Sequence, residues 1–271
     1  PRSKVIQFVP TGRPLSVVAM DVVGPIGPPR ATTERGNRFI VTFIDWFTRW
    51  VTAYAVPDTS AETIAECLEK FTLRWGVPER IISDNAAYFR ASTLREYERR
   101  IGLKHTFVSP HRPEGNGRLE RFHRTLGRML KARTEATGQE NWDKELDHIL
   151  FAYNIAEHSA TGFSPWYLLH GWHPALPFDI WMEQSTEEEY TGPEQWVTEH
   201  QRRLDTSQAV AHERMNDAAH VRVANSETGY TTQFEVGEKV LLWTPSVPRG
   251  LSRKLHCRWH GPGTVVTAKS G

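Results

Sequence analysis

Three runs rich in β-branched and aromatic residues follow one another within the first 60 residues, and they constrain the fold more than any other feature of the chain. The runs cover residues 15–23, 38–47 and 49–56. The stretch "GPIGPP" must turn the chain after the first run, and Thr48 and Arg49 join the second to the third. Because closely connected strands pair in antiparallel fashion, these runs predict a three-stranded meander.

The next hundred residues alternate between helical and extended patterns. Residues 58–76 open with capping residues, carry apolar residues on one face and end at glycine, which predicts a helix. Further strands are expected at residues 79–85 and 103–109, and further helices at residues 93–102, 119–130 and 141–158. The resulting order, β-β-β-α-β-α-β-α-α, predicts an α/β fold with a mixed sheet and helices on its faces.

The C-terminal third has a different pattern. Residues 179–229 are acidic and then helical, which is typical of a connector, and residues 230–271 hold two strand-like runs separated by turn residues. We therefore divide the chain into a lead-in at residues 1–14, a core at 15–178, the connector, and a small C-terminal β module. Because the chain begins with Pro1 and not Met, we expect a fragment or a processed product.

Charge is segregated along the chain, although the net charge is only +1. Residues 112–133 contain seven Lys or Arg and two acids, and residues 239–260 contain five Lys or Arg and no acid. Residues 183–205 contain seven acids and two arginines. Such a distribution can present basic faces to a polyanion.

The two cysteines, Cys67 and Cys257, lie far apart in the sequence. They indicate neither a disulfide framework nor a zinc-binding pair, and they fit a reducing compartment. No apolar run approaches the ~18 residues of a membrane span, and no signal peptide is evident.

Two aspartates lie in or just after predicted strands, where a carboxylate is costly unless something neutralises it. Asp21 lies inside the first run, and Asp84 ends the run "RIIS". A turn role would explain Asp84 taken alone, but it explains Asp21 less well because the turn begins only at Gly24. Asp45 lies near the end of the second run, and the two aromatic residues after it favour a strand edge or bend over a functional role.

A third carboxylate, Glu120, follows the stretch "HRPEGNG", whose proline and glycines predict a turn at residues 111–117. Apolar residues at three- and four-residue steps then predict a helix that holds Glu120 in its first turn. Two strand aspartates and such a glutamate are typical of a site for Mg²⁺, which prefers oxygen ligands. Three carboxylates cannot all stay ionised side by side without that counter-charge. Two such ions ~3.5–4 Å apart can activate a nucleophile and stabilise a leaving oxygen in phosphoryl chemistry.

Basic residues on the same helix and in the tail are candidates for phosphate contacts. Arg124 follows Glu120 by one turn and shares its face. That face must meet the phosphodiester if Glu120 is catalytic, so we predict that Arg124 contacts the nucleic-acid backbone and is not merely a solvated arginine. Asn116 could position the substrate or simply satisfy the turn. The basic residues of the tail, at positions 253, 254 and 258, fit contact with DNA or a subunit, or an ordinary barrel surface. The other candidates are Arg118, Arg121 and Arg128 on the helix, and Arg253, Lys254 and Arg258 in the tail.

Five stretches resemble the integrases of gypsy-class LTR retrotransposons and, more distantly, retroviral integrases. They are "MDVVGP", "WGVPERIISDN", "HRPEGNGRLERFHRTL", "AYNIAEHSATGFSPWYLLHG" and "RKLHCRWHGPGTVV". The first four cover most of residues 15–175 in the family's order. The family signature is two aspartates and a glutamate with 35 residues between the last two, and 35 residues separate Asp84 from Glu120.

The resemblance implies a ribonuclease-H-like core with a mixed five-stranded sheet, and an SH3-like barrel as the C-terminal module. It implies that Asp21, Asp84 and Glu120 are the catalytic triad and bind two Mg²⁺ or Mn²⁺ ions. The implied enzyme trims and joins DNA ends by direct attack of water or a DNA 3′-hydroxyl on a phosphodiester. The implied partners are double-stranded DNA, from both the retroelement ends and the target, and further copies of the chain assembled on it. The implied location is the nucleus, after a cytoplasmic particle stage if the element is active.

The chain departs from the family pattern at three places. Ala86 and Ala87 stand where Ser-Asp-Asn is usually followed by glycine, and Gly263 stands where Gly-Pro is usually followed by an aromatic residue. The family's His-His-Cys-Cys zinc domain has no counterpart in these residues. We predict loop, surface or DNA-facing roles, and not zinc binding, for His105, His111 and His123.

Two alternatives to an integrase remain open at the level of the sequence. One is a ribonuclease-H-like nuclease that only hydrolyses nucleic acid. The other is a domesticated, integrase-derived host protein that binds DNA or protein without strand-transfer activity.

Overall fold

A computed structural model describes residues 13–26, 32–108, 113–137, 139–177, 179, 192–227, 236–243 and 259–265. For residues 113–120, 135–137, 139, 219–227, 241–243 and 259–260 only the backbone is described. The chain divides into two compact units, Pro1–Ala219 and His220–Gly271.

The first unit is organised around one five-stranded sheet with the strand order β3-β2-β1-β4-β5. The strands are β1 (Val17–Val23), β2 (Phe39–Asp45), β3 (Val51–Val56), β4 (Arg80–Ser83) and β5 (Lys104–Phe107). β1, β2 and β3 pair in antiparallel fashion, so the predicted meander is confirmed. β4 and β5 add in parallel to β1, and each is reached through a helix because a parallel connection needs a crossover.

Helices follow the strands in the predicted order. They are α1 (Ala61–Trp75), α2 (Ser92–Ile101), α3 (Pro113–Thr137), α4 (Trp142–Ile155), α5 (Pro165–His170) and α6 (Pro193–Glu227), with short 3₁₀ turns at Ala87–Arg90 and Gln139–Asn141. The Ser60 side chain caps α1 by accepting the Thr63 N–H, and the helix ends at Gly76, whose φ of 85° suits glycine. None of the described helices is long and apolar enough to cross a membrane.

The sheet carries a hydrophobic core on each face because successive strand residues point to opposite sides. On one face Ala19 and Ile82 pack with α3 and α4; the helix residues are Phe122, Leu126, Leu130, Trp142, Leu146, Ile149 and Leu150. On the other face Met20 and Ile81 pack with α1 and α2; the helix residues are Ile64, Cys67, Leu68, Phe71 and Leu94. This alternation fixes which strand side chains can meet α3.

Asn154 in α4 completes the outer edge of the sheet. Its Oδ1 accepts the Val51 N–H at 2.9 Å, and its Nδ2 donates to the Val51 carbonyl at 2.9 Å. Both backbone groups of Val51 are therefore satisfied at the edge strand β3, and α4 is tied to the sheet by polar as well as apolar contacts.

The helix α3 begins earlier than the sequence indicated. The prediction of a turn was wrong for residues 113–117, which are helical, while His111 and Arg112 lie outside the described residues. Pro113 is tolerated because backbone N–H groups in the first turn of a helix have no partner within the helix, so the N–H that proline lacks is not needed there. Each glycine costs about 1 kcal/mol, but burial of three α3 side chains at roughly 1.5–3 kcal/mol each anchors the helix to the sheet. Glu120 is consequently more than a turn inside α3, and not in its first turn.

The second unit contains the antiparallel strands β6 (Lys239–Trp243) and β7 (Trp259–Thr264). They fall within the two predicted strand-like runs, and Gly263 pairs with Val240. The helical part of the predicted connector corresponds to α6. The SH3-like barrel and the proposed domain boundaries remain predictions.

Candidate active site

Asp21 and Asp84 lie side by side at the carboxyl ends of two parallel strands. The parallel pairing of β1 with β4 ends at Ala19 and Ile82, and each aspartate comes two residues later in its chain. Because the side-chain period of a strand is two, both aspartates belong to the face that holds Ala19 and Ile82, which is the face covered by α3. The topology therefore brings two carboxylates together beneath one helix.

The two carboxylates interact electrostatically. Burial raises the pKa of Asp21 from 3.8 to about 6; the Val22 N–H opposes this shift, and the negative charge of Asp84 adds to it. Burial, followed by the charges of Asp84 and Asp21, also raises the pKa of the nearby Tyr88 phenol to about 12. A cation at this position would relieve the repulsion between the carboxylates.

Each carboxylate is oriented by a backbone amide near it. The Val22 N–H donates to Asp21 Oδ1 at 2.8 Å, and the Ala86 N–H donates to Asp84 Oδ1 at 3.1 Å. Among the described residues, no hydrogen bond is donated to Asp84 Oδ2. Ala86 has φ −63° and ψ 152°, an ordinary extended conformation, so alanine is accommodated where the family usually has glycine. The oxygen-only donor set suits Mg²⁺ or Mn²⁺.

His123 on α3 also reaches this site. Its Nε2 lies 3.2 Å from Thr42 Oγ1, and that hydroxyl donates to the main-chain oxygen of Asp21 at 3.1 Å. Thr42 can then only accept from His123, so Nε2 carries the hydrogen. Burial lowers the pKa of His123 to about 4, so the ring is neutral near pH 7, and the 3.7 Å approach of Nδ1 to Asp21 Oδ2 is not an ion pair.

Sequence reasoning did not assign His123 to the site. The available signal was its spacing, since residue 123 follows Glu120 by three positions, about one turn of helix. The expectation for His105 was wrong: its side chain is only 5% exposed and bonded to Glu98, so it is a core residue. His111 lies outside the described residues.

The remaining predicted site residues fall into three groups. Arg121, Arg124 and Arg128 are exposed on α3. Glu120, Asn116 and Arg118 lie in α3, but only their backbone is described and not their side chains. Arg253, Lys254 and Arg258 lie outside the described residues. Among the described side chains, no group of three or more His, Cys, Asp or Glu could hold a metal ion.

Asp45 has the turn role that the sequence favoured. Its Oδ2 accepts the Thr48 N–H at 2.8 Å and the Thr48 hydroxyl at 2.6 Å. Burial raises its pKa, and these hydrogen bonds from Thr48 oppose that effect. Asp45 therefore stabilises the β2–β3 turn.

The five-stranded sheet, with the order β3-β2-β1-β4-β5, three antiparallel strands and two parallel additions, has the arrangement expected of a ribonuclease-H-like integrase core. Comparisons with known proteins agree with an integrase core. Residues 12–113 match the family model described as the integrase core domain. The chain is 30% identical over 234 residues to the Gag-Pol polyprotein of Baboon endogenous virus, which covers 85% of this chain and 13% of that protein. It is 26% identical over 247 residues to the retrovirus-related Pol polyprotein from transposon 412 of Drosophila melanogaster, which covers 90% of this chain and 19% of that protein.

The fold also matches a solved structure. The cryoEM structure of the simian T-cell lymphotropic virus intasome, in complex with PP2A regulatory subunit B56 gamma, aligns with a TM-score of 0.51 at 19% identity. The alignment covers 60% of this chain and 56% of that chain. The chain thus contains a retroviral-type integrase core domain, as the sequence indicated, and spans less than a fifth of the two polyproteins above.

Replacing Asp21 with asparagine should stabilise the metal-free protein at neutral pH. The pKa of Asp21 rises from 3.8 to about 6 on folding, so between these values the folded state binds more protons than the unfolded state. The wild type therefore loses stability as pH rises from about 4 to 6, and the variant does not. Above pH 6 we expect the variant to be more stable by roughly 1–3 kcal/mol, measured by urea unfolding in EDTA.

The exposed Asp147 on α4 provides a control, because its replacement by asparagine should produce no such pH-dependent difference. Equal stability of the Asp21 variant and the wild type at both pH 4 and pH 7.5 would contradict the electrostatic description of the site.

Proposed function

We propose that this domain is the catalytic core of an integrase that processes DNA 3′ ends and joins them to a target. The observation that carries the proposal is the adjacency of Asp21 and Asp84 at the ends of parallel strands, facing α3. In this proposal Glu120, on α3, supplies the third carboxylate, and the three together hold two Mg²⁺ or Mn²⁺ ions.

The reaction needs only direct substitution at phosphorus. When bound, divalent ions favour the ionised attacking hydroxyl and neutralise charge on the leaving oxygen. Water attacks during end processing, and the new DNA 3′-hydroxyl attacks during joining. In each step the attacking oxygen bonds to phosphorus and loses a proton to solvent, while the P–O bond to the departing oxygen breaks and that oxygen takes up a proton from solvent. The Val22 and Ala86 amides hold the two aspartates in orientation. Neutral His123, fixed by Thr42, adds no competing positive charge.

The exposed arginines of α3 support DNA as the substrate. Arg121, Arg124 and Arg128 lie on the helix that covers the two aspartates, so a phosphodiester at the site would pass near them. Neutralised phosphates release counterions, and binding through such contacts weakens steeply as salt rises. Arg253, Lys254 and Arg258 in the tail are further candidates for phosphate contacts.

A paired substitution tests the arginine contacts. We expect the double variant Arg124→Gln, Arg128→Gln to bind duplex DNA more weakly and to lower the log–log salt slope by about 0.9 for each phosphate that the protein no longer neutralises. The matched control is Arg95→Gln, Arg99→Gln, which removes two exposed charges at the same spacing from α2, on the opposite face of the sheet. Equal salt slopes for the two double variants, measured by fluorescence anisotropy, would remove α3 from the DNA interface.

A strand-transfer assay tests the function itself. The protein is incubated with Mg²⁺, a labelled duplex carrying retroelement ends, and plasmid target, and joined products are expected. Cleaved but unjoined DNA would indicate the hydrolytic nuclease. DNA binding without either product would indicate the domesticated binding protein.

We further propose that several copies assemble on DNA and act in the nucleus. Concerted insertion of both ends of one element requires at least two active sites, and the solved structure that shares this fold is described as an intasome. Joining to a chromosomal target would take place in the nucleus.

A further inference from the structure

Ser83, the residue directly before Asp84, belongs to a buried hydrogen-bonded chain that draws on three elements. Ser83 ends β4 and is fully buried, His105 lies on the neighbouring strand β5, and Glu98 lies on α2. Ser83 Oγ is 2.8 Å from His105 Nε2, and His105 Nδ1 is 2.6 Å from Glu98 Oε1. The Ser83 hydroxyl donates to the main-chain oxygen of Asp84 at 2.8 Å.

The direction of this chain can be assigned from its donors and acceptors. The Ser83 hydroxyl has one hydrogen, and that hydrogen is directed to Asp84. Ser83 must therefore accept from His105, so Nε2 carries a hydrogen. The 2.6 Å contact between His105 Nδ1 and Glu98 Oε1 is a hydrogen bond and needs one hydrogen between the two atoms. Every hydrogen bond then points from the Glu98–His105 pair through Ser83 to Asp84.

Asp84 is consequently held at two points. Ser83 fixes its main-chain carbonyl, and the Ala86 N–H fixes its carboxylate through Oδ1. The Glu98–His105–Ser83 chain lies on the α2 face of the sheet, whereas the Asp84 carboxylate belongs to the α3 face. These three residues therefore do not touch the reacting atoms. They set the orientation of the main chain at Asp84, from which the carboxylate projects.

We propose that Glu98, His105 and Ser83 are positioning residues that orient Asp84 to bind a divalent cation. This inference rests on the proposed function, because it assumes that Asp84 is a metal ligand. Hydrogen-bond partners behind a metal ligand commonly change metal affinity by about 10–100-fold.

Binding of Mn²⁺ alone, followed by electron paramagnetic resonance, tests the inference without requiring activity. Ser83→Ala removes the donor to Asp84, and we expect Mn²⁺ affinity to fall by about 10-fold or more. His105→Leu interrupts the hydrogen-bonded chain between Ser83 and Glu98 with a side chain of similar size. With leucine at 105, nothing donates to Ser83 Oγ, and the hydroxyl loses the partner that directs its own hydrogen to Asp84. We expect the same direction of change.

Thr72→Val is the matched control for a purely structural role. The Thr72 hydroxyl lies 2.6 Å from the Tyr97 hydroxyl, so this variant also removes a hydrogen bond to α2 but leaves Asp84 untouched. The inference requires the two variants at positions 83 and 105 to lose Mn²⁺ affinity while Thr72→Val keeps it. Wild-type affinity in either Ser83→Ala or His105→Leu would overturn the inference alone. Failure of the wild type to bind Mn²⁺ in an Asp84-dependent way would overturn the proposed function as well.

Discussion

The Asp84→Asn protein is expected to join DNA about 10²–10³-fold more slowly than the wild type, the scale on which preorganised charge stabilisation acts. The amide keeps the shape of the side chain and can still accept the Ala86 N–H, but it no longer supplies the negative charge that a divalent ion needs beside Asp21. Because the arginines of α3 are unchanged, DNA affinity in metal-free buffer should stay close to that of the wild type. Gel-based strand transfer with Mg²⁺ and anisotropy in EDTA measure the two quantities.

Glu120→Gln extends the same test to the third proposed ligand. It should also keep DNA binding and abolish joining, whereas Asp147→Asn, an exposed substitution of the same kind on α4, should leave joining intact. Near-normal joining by Glu120→Gln would refute the assignment of the triad.

The largest loss of stability is expected for Leu126→Ala. Leu126 is only 1% exposed and lies between α3 and the sheet, so its truncation leaves a cavity in the core that supports the site. A buried Leu→Ala change typically lowers the free energy of unfolding by about 2–5 kcal/mol. Urea denaturation followed by tryptophan fluorescence measures this change, and joining should fall too because α3 carries residue 120 and His123.

Leu73→Ala provides the comparison on an exposed position. Leu73 is 81% exposed on α1, so its removal should change the free energy of unfolding by less than about 0.5 kcal/mol. If both leucines gave the same small change, α3 would not be anchored as the packing indicates.

The order of strands and helices could be predicted from the sequence because periodicity and helix ends are local signals. The α1 boundary illustrates this: Ser60 and Gly76 mark its ends in both the sequence and the structure. The start of α3 was predicted wrongly because local glycine preferences opposed the helix, while distant apolar contacts stabilised it.

The neighbourhood of the candidate site was only partly predictable. Costly strand carboxylates singled out Asp21 and Asp84, and the register of β1 and β4 places them together; their role as metal ligands stays a prediction. The contacts of His105 and His123 depend on hydrogen bonds to Glu98, Ser83 and Thr42, which belong to other elements. No periodicity in the sequence encodes such pairs, because they arise only when the sheet and the helices have packed.

The two hydrogen bonds between Asn154 and Val51 affect how copies of the chain can associate. An edge strand ordinarily has unpaired N–H and C=O groups that can pair with an extended segment of another molecule, which leads to aggregation. Here a carboxamide from α4 already occupies both peptide groups at the beginning of β3. Pairing of β3 with a strand of another copy is therefore blocked at Val51, the first residue of this edge strand.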